Sequence, residues 1–225
     1  MTAVPMDAPA AQALSITVSE AERVSALLQA PENVRAGYVL AHGAGAGMAH
    51  PFMTAIATAL ARRGIATLRY QFPYMEKRSK RPDAPKLAHA TVRAAVAEAA
   101  RLLPGVALIA GGTSFGGRMT SQAQALEPMP GVRGLVFLGF PLHPAGKPGI
   151  ERAEHLAQVK IPMLFVSGDR DALAEVELLK PVVAGLGDPA TLHLVAGADH
   201  SFRVAAKEAE AIDALATWIV GSDTG

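Results

Sequence analysis

The chain has 225 residues, more than a minimal domain needs and too few for two full ones. Half are apolar and 18% are charged, which provides for a large buried core and excludes a globally disordered chain. The 21 basic and 20 acidic residues nearly cancel, without the electrostatic footprint of a nucleic-acid or anionic-membrane binder; with no cysteine, disulfides, thiol nucleophiles and cysteine metal sites are excluded.

In chain order, residues 1–13 are rich in Ala and Pro and lack a basic region ahead of an apolar run, so a flexible leader is expected rather than a secretory signal. No stretch reaches the roughly 18 apolar residues of a bilayer span, and the expected location is the cytoplasm. Residues 14–225 read as a single domain without repeat or linker. Residues 14–18 and 24–28 form a candidate antiparallel hairpin. Continuous apolar runs at 39–41, 65–68, 106–110, 135–138 and 163–166 have the look of strands covered on both faces, whereas 192–195 is mixed and belongs nearer a sheet edge.

Helical patterns lie between these runs. Pro51 suits a first helical turn, and Phe52, Ile56 and Leu60 recur at four-residue spacing after it. Residues 86–103 stop before Pro104-Gly105, and 115–126 stop before Glu127-Pro128. Ile212, Leu215 and Ile219 share a last helical face that Gly221 closes. Strands and helices in alternation predict an α/β fold, a mostly parallel, doubly wound sheet flanked by helices. The basic, Pro-containing stretch 76–86 reads either as a loop over the site or as a solvated connection.

Gly112-Thr113-Ser114-Phe115-Gly116 has the spacing G-x-S-x-G. Alone the pentapeptide says little, but here it is preceded by the best strand candidate and followed by a helix. That context is what a nucleophile elbow requires: a serine in a strained turn, glycines that let backbone approach, and helix N–H groups for developing negative charge. A phosphate loop would want a lysine in the turn, and none is present.

A nucleophilic serine needs a base and an orienting acid, which in this strand order should follow it on late loops, acid first. His200, in Gly197-Ala198-Asp199-His200, follows the last strand and is the candidate base. Asp171 and Asp169 both lie just past the 163–166 strand; Asp171 is preferred because the turn must travel before its carboxylate can face the imidazole. Asp199 is read as a loop-structuring residue.

The loop His42-Gly43-Ala44-Gly45-Ala46-Gly47 exposes backbone N–H groups, so oxyanion donors are expected from Phe115 and from Ala44, with Gly43 and Gly45 as substitutes. Its G-x-G-x-G spacing, with Arg69 where a dinucleotide-binding acid would stand, argues against a cofactor, and none is expected. His50 and His143 are candidate substrate-binding residues on loops that border the cleft. His42 is expected to bond locally, His89, His155 and His193 to be ordinary element residues, and no spacing resembles a metal site.

With these motifs in this order, the chain from Val39 to Val220 resembles the α/β-hydrolase superfamily. Three segments, HGAGAGMAHPFM from His42, GGTSFGGRM from Gly111 and FPLHPAGK from Phe140, are similar to its small dienelactone-hydrolase-like group, related to the testis-expressed and NSL-complex-subunit α/β-hydrolase-like domains. The superfamily often inserts a helical cap after the sixth strand. Between Gly139 and Ile161 there is room only for a loop and a short helix over 150–159, so no large cap and an open cleft are expected.

The resemblance and the residues together predict a serine hydrolase of carboxylic esters, working through an acyl-enzyme on Ser114, His200 and Asp171. The substrate would be a small-molecule ester, and homodimer formation is left open. Two alternatives stand beside this reading: a thioesterase, amidase or acyltransferase on the same residues, or a protein-interaction module that retains an inherited site.

Overall fold

The computed structural model describes residues 8–221, so most of the expected leader lies outside the described residues. Gln12 and Ala13, placed in that leader by the sequence, already pair with Leu28 and Leu27. They open β1 (Gln12–Thr17), which forms an antiparallel hairpin with β2 (Arg23–Gln29). The other strands are β3 (Ala36–Ala41), β4 (Ile65–Tyr70), β5 (Ala107–Thr113), β6 (Val132–Leu138), β7 (Met163–Gly168) and β8 (Ala190–Val195).

All eight share one sheet in the order β1-β2-β4-β3-β5-β6-β7-β8, parallel from β4 onward. β3, β4 and β7 are buried along their whole length, as strands covered on both faces must be, whereas the edge strand β8 is mostly half-exposed. Alternation along β3 divides the core. Val39 and Ala41 face one apolar cluster, Tyr38 and Leu40 the other. Helices α3 (Pro85–Leu102), α4 (Phe115–Leu126) and α5 (Val176–Gly185) cover the first face, and α1 (Pro51–Ala61) and α6 (Ala205–Gly221) cover the second. This is the α/β-hydrolase fold that the resemblance implied.

Two helices were not legible in the sequence. α2 (Pro73–Glu76) is a single turn, and α5 carries Pro181 in its interior and buries only Leu179 and Val183. The segment between β6 and β7 contains one 3₁₀ helix, Glu151–Gln158, and no cap. Among the described residues no helix is long and apolar enough to cross a membrane.

Candidate functional site

The turn from β5 into α4 sets Ser114 at φ 45° and ψ −113°, a conformation that costs on the order of 1–3 kcal/mol in a residue with a Cβ. The turn survives because the chain around it is held closely on every side. The Ser114 N–H bonds Leu138 O at 3.0 Å, and the Ser114 carbonyl accepts from Arg118 N–H at 3.1 Å. A Cβ at Gly112 would lie 2.2 Å from Ala41 O, and one at Gly116 would lie 2.6 Å from His42 O. These glycines let β3 and its following loop reach the elbow. Gly116→Ala must therefore push the His42 carbonyl away, and a loss of about 1–3 kcal/mol is expected in urea unfolding; an unchanged midpoint would show that the approach is not constrained.

β7 and β8 deliver the other two side chains from neighbouring loops. His200 Nε2 lies 2.9 Å from Ser114 Oγ, and His200 Nδ1 lies 2.8 Å from Asp171 Oδ2. Asp171 is 2% exposed, and its second oxygen accepts Leu173 N–H at 2.8 Å, which fixes the carboxylate plane. A carboxylate only accepts, so Nδ1 carries the imidazole proton and Nε2 is left to accept from the serine hydroxyl. Asp169 turns elsewhere, accepting Gly197 N–H at 2.6 Å and so tying the β7 loop to the β8 loop. Asp199 accepts Ser201 N–H at 2.9 Å, a turn within its own loop.

The glycine loop after β3 runs beside Ser114. Gly45 N–H is engaged by Tyr74 Oη at 3.1 Å, which removes one of the expected substitute donors, and Met48 N–H bonds Gln71 Oε1 at 2.8 Å. Ala44 N–H has no hydrogen-bond partner among the described residues, and Ala44 lines the cleft with Ser114. Phe115 opens α4, so its N–H is one of those a helix leaves without an internal acceptor.

His42 anchors this loop from within. Fully buried, it donates from Nδ1 to Gly43 O at 2.8 Å and accepts Phe72 N–H at Nε2 at 3.1 Å. Burial pushes its pKa down from 6.5 to about 4, although the Gly43 bond works in the opposite direction. The unfolded chain thus takes up a proton below pH 6.5 that the folded chain refuses. Stability is complete above that pH and falls as pH drops toward 4, by about 3 kcal/mol from this residue. Urea midpoints measured from pH 7.5 down to 4.5 check this, with a smaller decline expected in His42→Gln.

The two histidines expected at the cleft part company. His50 lines a cleft of about 610 Å³ with Ser114, His200, Phe52, Met53 and Leu138, and its Nδ1 also accepts Phe52 N–H at 3.3 Å as the cap of α1. His143 does not reach the cleft, contrary to expectation. Its side chain is fully buried, with Nδ1 2.9 Å from Pro144 O and Nε2 on the Glu175 carboxylate. Burial alone lowers its pKa, but the two acceptors outweigh it and favour the imidazolium. It braces a loop, tying the turn at Pro144 to Glu175 ahead of α5 rather than facing the rim.

Sequence reasoning also missed Arg118 and Arg152, which border a second hollow of about 390 Å³ on the other side of Ser114. The 76–86 stretch supplies Pro82, Asp83 and Pro85 to the same hollow, while Lys80 and Arg81 are exposed. Arg69, the residue that stood against a dinucleotide, is a buried brace, donating to Thr54 Oγ1 at 2.8 Å and Met48 O at 3.3 Å. Among the described residues no group of three His, Asp or Glu side chains is placed to hold a metal ion.

The comparisons with known proteins agree with this architecture. A family model described as an alpha/beta hydrolase domain matches residues 34–220. A dienelactone hydrolase from Anabaena variabilis superposes with a TM-score of 0.80 at 20% identity, covering 95% of this chain and 98% of its own. An alpha-beta serine hydrolase homologue from Coxiella burnetii gives 0.77 at 20% identity, covering 92% and 97%. A serine hydrolase without lid from Xanthomonas campestris gives 0.71 at 18% identity, covering 95% and 93%.

Proposed function

The chain belongs to the alpha/beta hydrolase family, and from that premise we propose that it hydrolyses carboxylic esters through an acyl-enzyme on Ser114. The observation that carries the reading is the hydrogen-bonded chain from Ser114 Oγ through His200 to the buried Asp171 carboxylate.

In this mechanism Ser114 Oγ attacks the ester carbonyl as His200 Nε2 takes its proton. The carbonyl oxygen becomes an oxyanion and receives the N–H groups of Phe115 and Ala44, aided by the positive end of α4. Asp171 keeps its charge throughout and stabilises the imidazolium. Collapse of the tetrahedral intermediate breaks the bond to the alcohol oxygen, which takes the proton from Nε2 and leaves. Water then gives a proton to His200 and adds to the acyl carbon; a second collapse frees the acid and returns the proton to Ser114. An alkoxide leaves more readily than an amide nitrogen, which favours esters. The absence of a cap favours substrates that enter from solvent.

The test is turnover of p-nitrophenyl esters of increasing acyl length, beside matched thioesters and anilides, by the purified protein and by His200→Ala. Saturable ester hydrolysis that His200→Ala abolishes is the expected result. Preference for the thioester or anilide would overturn the ester assignment, and no turnover of any of them by folded protein would point to the interaction-module reading.

A further inference from the structure

The hollow on the α4 side of Ser114 holds two guanidinium groups that the reaction outlined above does not use. Arg118 lies one helical turn beyond Ser114, at the i+4 position that shares a helix face with it. It is half-buried, its Nε is fully enclosed without an acceptor, and its side chain makes no hydrogen bond or ion pair among the described residues. Arg152, at the start of the 3₁₀ segment, is held by its Nη1 on His143 O at 2.9 Å and makes no ion pair with a carboxylate among the described residues. Burial of Arg118, and secondarily repulsion from Arg152, lowers its proton affinity.

Neighbouring groups do not relieve this. His155 and His89 face Arg118, and burial holds the pKa of each below its usual value, His155 at about 4, so both are neutral near pH 7. Among the described residues the one acid lining the hollow is Asp83, whose Oδ2 already accepts Tyr74 N–H at 3.1 Å. Two positive charges against one negative, in a half-desolvated recess beside a nucleophile, suit a monoanion.

Geometry decides which end of the substrate enters. The leaving oxygen must come within reach of His200 Nε2, and His200 lines the Phe52–Met53 cleft rather than the arginine hollow. The alcohol therefore lies over Phe52 and Met53, and the acyl chain extends past Ala44 toward Arg118. We propose that Arg118 and Arg152 form a carboxylate subsite for the acyl group, making half-esters of dicarboxylic acids the preferred substrate class. The assignment rests on the ester-hydrolase reading for its chemistry, but binding at the subsite is measurable without turnover.

Monomethyl succinate, glutarate and adipate are compared with the methyl esters of the corresponding carboxamide-terminated acids, which match them in shape and lack the charge. In wild-type protein kcat/KM should favour the half-ester of fitting length by about tenfold to a hundredfold, as a charge-assisted hydrogen bond supplies. Arg118→Gln and Arg152→Gln should each bring that ratio toward one, with partial recovery in Arg118→Lys. Calorimetric titration of Ser114→Ala with the half-ester and with its carboxamide should give the same ordering of affinities. Wild-type ratios near one at every length, or ratios untouched by both glutamine variants, would overturn the subsite. Hydrolysis of the neutral esters without discrimination would remove the subsite and leave the ester reading intact. Discrimination by Ser114→Ala in titration, with no methyl ester turned over by wild type, would do the reverse.

Discussion

Replacement of Ser114 by alanine is expected to lower kcat on a carboxylic ester by about 10⁴- to 10⁶-fold, while KM changes little. In the proposed mechanism the hydroxyl is the group that becomes covalently attached, so its loss would remove the acylation route rather than weaken it. On that proposal the residual rate would come from the Phe115 and Ala44 N–H groups and from substrate positioning, which in such sites still exceed the reaction in water. Alanine also relieves no clash, because the strained backbone at φ 45° is imposed by Leu138, Arg118 and the close approach of β3 rather than by the hydroxyl. Unfolding midpoints should therefore stay near the wild-type value. Single-turnover and steady-state assays on protein free of contaminating esterase check the kinetic part. A residual rate within tenfold of wild type would mean that another group attacks the carbonyl.

Asp171→Asn carries the second-largest effect, about 10⁴-fold in kcat. An amide at this position can present its NH₂ to His200 Nδ1, which then holds the imidazole in the tautomer whose Nε2 bears the proton. Such a ring cannot accept from Ser114. The buried site makes the change severe, since Asp171 Oδ1 also fixes the loop through Leu173 N–H. Asp169→Asn is the matched control. Asp169 accepts from Gly197 N–H and, among the described residues, makes no hydrogen bond to the imidazole, so turnover should stay within a few-fold of wild type, with any cost appearing in stability. The reverse ordering of the two variants in the same assay would reassign the acid.

The parts of this molecule that were legible in the sequence are those governed by short-range rules. β3, β5 and β7 are continuous apolar runs because both their faces are covered, and the G-x-S-x-G turn advertises the close approach that its glycines permit. The hairpin β1–β2 was visible from two short apolar runs separated by a turn, although its first two residues were assigned to the leader.

What escaped depends on long-range packing. α5 is interrupted by Pro181 and buries too narrow a stripe to be periodic. His143 and His50 look alike in sequence, each beside a proline on a loop, yet one is sealed against Glu175 and the other faces the cleft. Arg118 and Arg152 lie 34 positions apart and meet only because α4 packs on the 3₁₀ segment. The one local sign was that Arg118 falls a helical turn after the serine, a spacing that any residue of α4 could occupy without meaning.

Covalent labelling tests the central claim most directly. A fluorophosphonate probe reacts with a serine hydroxyl only where a neighbouring base has activated it, and the bond it forms is not readily hydrolysed. Wild-type protein should take up one probe per chain, mapped by peptide mass to Ser114, and His200→Ala and Asp171→Asn should slow that labelling in step with their loss of turnover. Probe attached at a different residue, or folded protein that hydrolyses esters while Ser114 stays unmodified, would contradict the account.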